Sequence, residues 1–74
     1  MNRLPALKPK EVIRILEKTG YYIKRQTGSH VIMVNERRKK ILPVPYHNRS
    51  LKRGTLHGIV KRSGLSEEEF LNLK

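Results

Sequence analysis

The sequence predicts an α+β fold, α-β-β-β-α, with a short helix at the end. Three observations predict it. Apolar residues recur at helical spacing near both ends of the chain. Between them lie three short runs rich in β-branched and aromatic residues, parted by turn signals and by no helix. And 74 residues, 36% of them apolar with one Phe and no Trp, can fill only a thin core. Runs of strands flanked by helices give a three-stranded antiparallel meander backed by two helices, here as one domain over residues 1–74.

The first helix is written in "KPKEVIRILEKTG". Pro9 suits a first helical turn, where its missing N–H is no loss. Val12, Ile13 and Leu16 form the inward stripe, with Ile15 at its edge. Glu11 and Lys18 complement the helix dipole at opposite ends, and Gly20 suits the exit. "YYIKRQ" is the first strand, "TGS" a turn, and "HVIMVN" a second strand with four consecutive apolar residues. Such a run fits a central strand covered on both faces, or covered on one and open on the other. "ERRKK" is a loop and "KILPV" a third strand. Pro43 and Pro45 put that strand at an edge, because neither can donate to a ladder. After a basic connection, "TLHGIVKRSG" is a helix capped by Thr55 or Gly54. Leu56, Ile59 and Val60 face inward, and Gly64 stops it. Ser66 and Glu69 have capping-box spacing for a last short helix carrying Phe70, Leu71 and Leu73.

Charge bounds the function. Seventeen Lys and Arg oppose six acidic residues, a formal net charge of +11. The cations run through the whole chain, so its field attracts polyanions: nucleic acid, an anionic membrane or an acidic protein. The plainer alternative is a ribosomal-type or merely solubilising surface. No stretch approaches the ~18 apolar residues of a membrane span. "MNRLPALKPK" has no apolar signal-peptide region, so a cytoplasmic protein is expected.

Several chemistries find no support. His30, His47 and His57 are widely spaced and no carboxylate cluster joins them, so no metal site is expected. The chain has no Asp, which argues against a Ser-His-Asp triad. Its glycines match no phosphate-loop spacing. RNA cleavage needs less apparatus, because the 2′-hydroxyl beside each phosphate is a built-in nucleophile. One imidazole can move the proton, and Lys and Arg can steady the phosphate. His30, at the junction of turn and strand in "RQTGSHVIMVN", is the candidate acid or base. Gly28 permits a tight turn and close backbone approach to phosphate; Ser29 can bond a phosphate oxygen or fix the turn. From the residues alone, an ordinary hairpin turn with a solvent-facing imidazole is the favoured reading. Alternation puts His30 on a face with Ile32 and Val34, and leaves open which face is exposed.

With these residues set out, the sequence resembles the HicA family, the mRNA-cleaving toxins of HicA–HicB toxin–antitoxin systems. "LKPKEVIRILEKTGYYIKRQTGSHVIM" is similar to that family's first helix, first strand, Gly-Ser-His motif and second strand. "LPVPYHNRSLKRGTLHGIVKRSGLSEEEFL" is similar to its second half, with the Pro-x-His stretch and the Gly-Leu-Ser-x-x-x-Phe ending. Two departures stand out. Tyr21-Tyr22 replace the frequent Gly-Phe and an aliphatic, and the loop at Glu36–Lys40 is very basic.

The resemblance implies a fold like the double-stranded RNA-binding domain. It implies RNA cleavage without metal or other cofactor, arresting translation. His30 takes the catalytic histidine's place, with Gly28 and Ser29 beside it. His47 falls where the family commonly has a second histidine, as proton donor, phosphate contact or structural residue; His57 is expected at the surface. A HicB-like antitoxin is the implied partner, covering a monomeric toxin within a larger complex. Charge and placement, not the family, nominate Lys24, Arg25, Arg49, Lys52 and Arg53 as RNA contacts. Three functions compete: an endoribonuclease toxin, a non-catalytic RNA-binding module of the same fold, and a basic adaptor for an acidic protein.

Overall fold

A computed structural model describes residues 4–74. Helix α1 (Pro9–Glu17) leads into strands β1 (Tyr22–Thr27), β2 (His30–Asn35) and β3 (Lys40–Pro45); helices α2 (Arg53–Ser63) and α3 (Glu67–Asn72) follow. The three strands form one antiparallel sheet in the order β1-β2-β3. This is the α+β order expected from the sequence, and the body is thin, 34 × 28 × 17 Å. The first three residues of the stretch read for a signal peptide lie outside the described residues.

The core lies on one side of the sheet. Val31 and Met33 of β2 and Leu42 and Val44 of β3 point into it, against Val12, Ile15 and Leu16 of α1, Leu56, Ile59 and Val60 of α2, and Phe70 of α3. Burying each such side chain is worth roughly 1.5–3 kcal/mol, which is what holds helices onto so small a sheet. Ile15, placed at the stripe's edge by spacing, is fully within the core. The second strand therefore resolves to one of its two options: central, covered on one face, open on the other. Pro43 and Pro45 leave the outer edge of β3 short of donors, so the sheet stops there.

Local chemistry sets most boundaries. The Lys8 amide donates to Glu11 Oε1 at 2.9 Å, half of a capping box in which lysine has no acceptor to complete the other half. Ser66 and Glu69 form the full reciprocal box at the start of α3. Gly64 ends α2 in the left-handed region at φ 87°, where a side chain would be strained. The start of α2 corrects the expected cap. The N-cap is Lys52, without a side-chain hydrogen bond, and the helix begins at Arg53. Leu51, buried and donating its amide to Leu7 O at 2.8 Å, fixes the chain just before it, so Thr55 falls inside the first turn. β1 also begins one residue late. Tyr21 precedes it, buried, its hydroxyl donating to Ser63 O at 3.0 Å.

Candidate nucleic-acid interface

β2 turns from β1 through a two-residue loop. Thr27 pairs with His30, and Gly28 between them adopts φ 55°. A positive φ at the first loop residue and a negative one at the second match a type II′ hairpin turn, for which glycine is the natural residue. Ser29 therefore follows a position that only glycine takes without strain. Its carbonyl accepts a 2.7 Å hydrogen bond from the Tyr46 amide, which draws the segment after β3 alongside this turn.

His30 opens β2. Its ladder partners are Thr27 and Pro45. Because Val31 and Met33 enter the core, strand alternation puts His30 on the opposite, open face with Ile32 and Val34. The side chain is exposed. It differs from the other two histidines in having no hydrogen-bond partner among the described residues. His47 Nδ1 accepts from the Arg49 amide at 3.1 Å, which puts the proton of the neutral ring on Nε2 and leaves that N–H free to donate. His57 Nδ1 lies 3.1 Å from Glu67 Oε2. That contact ties α2 to α3, so His57 is at the surface as expected but structurally engaged.

The cations chosen from the sequence are all exposed, and the fold sorts them. A bulge interrupts the β1–β2 ladder between Ile23 and Arg25, leaving Lys24 without a cross-strand partner. The extra residue shifts the phase of alternation. Arg25, opposite Ile32, therefore shares the open face with His30, where an unbroken strand would have turned it inward. Arg49 lies in the connection after β3, and Lys52 and Arg53 at the start of α2. This is the His30 end of the sheet. The α2 N-terminus has no capping side chain and no acid in its first turn, so its free amides add to the positive potential there.

Spacing alone missed part of this end. Lys8 and Lys10, at the start of α1, join Tyr46, His47 and Asn48 around a shallow cavity of about 200 Å³. Their positive charge was visible in the sequence, but their proximity to His47 depends on where α1 crosses the sheet. Among the described residues no three His, Cys, Asp or Glu side chains gather as a metal site requires. No helix among them is long and apolar enough to cross a membrane.

A comparison with known protein families matches residues 9–65 to the family described as "HicA toxin of bacterial toxin-antitoxin". The chain belongs to the HicA toxin family. It is thus a toxin of a toxin–antitoxin system, and the match takes in the Gly28-Ser29-His30 turn, the His47 segment and all of α2. A search of curated proteins finds no match. In this HicA chain the family's span stops at Leu65, so α3, which seats Phe70 in the core, lies beyond it.

Proposed function

We propose that this HicA toxin is a cytoplasmic endoribonuclease that cleaves mRNA, using His30 as general acid or base, and that a HicB-like antitoxin silences it by covering His30. The observation that carries the reading is the contrast among the imidazoles: two are engaged, while that of His30 stands open beside a glycine turn and amid cations. In the proposed reaction the 2′-oxygen attacks the adjacent phosphorus and the bond to the 5′-oxygen breaks. One proton leaves the 2′-hydroxyl and one reaches the departing oxygen. The products are a 2′,3′-cyclic phosphate and a 5′-hydroxyl, with no metal consumed or required. His30 moves one of these protons. Gly28 and Ser29 let the phosphate approach the backbone, and His47 offers its Nε2–H to a phosphate oxygen. Lys24, Arg25, Arg49, Lys52 and Arg53 hold the RNA.

The test separates chemistry from binding. His30→Ala is expected to lower cleavage by roughly 10²–10⁴-fold, with RNA affinity little changed because the cations carry it. Cleavage by the parent is expected to persist in EDTA and to spare DNA, which has no 2′-hydroxyl. Unchanged cleavage by His30→Ala would overturn the assignment. Loss of affinity together with cleavage would favour the RNA-binding module.

A further inference from the structure

Resting on that reading, we propose that the open face of the sheet is a track for single-stranded RNA. It starts at His30, follows β2, and ends at the basic turn Glu36–Lys39. The helices occupy the other face, and no helix covers this one, where Ile32 is half-buried and Val34 is buried between its strand neighbours. Tyr22 is 41% and Ile41 67% exposed. They flank Val34 as its cross-strand partners, and Ile32 lies between Arg25 and Pro43. Cations stand at both ends of this strip: Arg25 near His30, Arg37 and Lys39 in the far turn, all exposed. An apolar strip between two cationic ends suits a ligand with phosphates to anchor and flat apolar surfaces to lay down between them.

A single strand has both. Its bases are free to stack on a ring such as that of Tyr22. A duplex turns its bases inward and presents phosphates and 2′-hydroxyls, for which the apolar strip offers nothing. The far turn is also held in place. Buried Asn35 accepts from the Arg38 amide at 3.1 Å and donates to Thr19 O at 3.2 Å. Lys39 sits at φ 55°, a conformation that glycine or asparagine takes more readily, so positive charge occupies a position where local preference favours a neutral residue. From His30 to Asn35 the strand runs about 17 Å, the length of about five stacked nucleotides.

The experiment uses His30→Ala protein, so binding is read without cleavage and stands whether or not the parent proves to be a ribonuclease. Fluorescence anisotropy compares a labelled single-stranded RNA of about twelve nucleotides with the same RNA annealed to its complement, across a salt series. The single strand is expected to bind at least about tenfold tighter. Adding Tyr22→Ala should lower its affinity about tenfold, the scale of one lost stacking contact, while Tyr22→Phe should retain affinity because it keeps the ring. Adding Arg37→Gln with Lys39→Gln should flatten the plot of log K against log salt by about 1.4, two single-strand phosphates' worth. Equal affinity for the duplex would overturn the proposal. So would indifference to Tyr22→Ala in a protein with a normal melting curve, the result expected if the strip serves an acidic protein. Equal loss in Tyr22→Phe and Tyr22→Ala would also overturn it, assigning the effect to the hydroxyl's 3.0 Å bond to Glu36.

Discussion

The two turns that bracket β2 are built on opposite principles. Gly28-Ser29 is the minimum loop, with glycine at the left-handed position and a single backbone bond to its surroundings, from Tyr46 to Ser29. Glu36–Lys39 is twice as long, puts a lysine in the left-handed region, and is tied down by a buried asparagine that also reaches the end of α1. A guanidinium nitrogen of Arg38 further lies so near Gly64 that a Cβ there would meet it at 3.0 Å. The short turn leaves its neighbouring imidazole free; the long one is welded to the helices. Under the proposed function, an open imidazole at the loose end and structural linkage at the other would let RNA approach His30 without disturbing the core.

Asn35→Ala should break the far turn with the largest effect. It strands the Arg38 amide and the Thr19 carbonyl, at a cost of about 1–3 kcal/mol. A chain of this size loses roughly 4–8 °C in Tm per kcal/mol, so calorimetry will read it directly. An unchanged Tm would mean that water replaces both bonds and that the turn is not anchored as described. Gly28→Ala tests the short turn and should cost less, about 1–2 kcal/mol, because alanine resists φ 55°. No atom crowds the new Cβ, so the penalty is conformational. If proposed cleavage then falls further than the loss of folded protein explains, the turn's shape matters to the chemistry as well as to the fold.

Much of this contrast was legible in the sequence. Gly28 between β-rich runs announced the tight turn, and Pro43 and Pro45 announced the edge of the sheet, because both act through local backbone geometry. Ser66 and Glu69 likewise declared their cap. What was not legible depends on packing across the chain. The bulge at Lys24 is a mismatch between two strands, invisible in either alone, yet it decides that Arg25 shares the face of His30. Thr55 is a good cap by type, but the pinning of Leu51 by Leu7 set the helix start elsewhere. Lys8 and Lys10 meet the His47 segment only because α1 starts at that end of the sheet. Asn35, polar in an apolar strand, gave no sign that it would be buried as an anchor.

Acid should act at the anchored end, and its sign follows from Glu69. The Ser66 backbone amide donates to its carboxylate, and this hydrogen bond, with the Ser66 hydroxyl contact and the charge of Arg38, lowers its pKa below the usual carboxylate value. The folded protein therefore favours the ionised form. The stabilisation is present above the unfolded pKa of about 4.3 and is lost as pH falls through the lowered folded value. Amide protection around α3, the exchange rate relative to the intrinsic rate at the same pH, is expected to fall in this acidic window, because protonation weakens the cap. Glu69→Gln should already show the lower protection at neutral pH and respond less to acid, since glutamine accepts the same bond without charge. If protection around α3 kept the same pH response in Glu69→Gln as in the parent, the carboxylate would not be the group that acid acts on there.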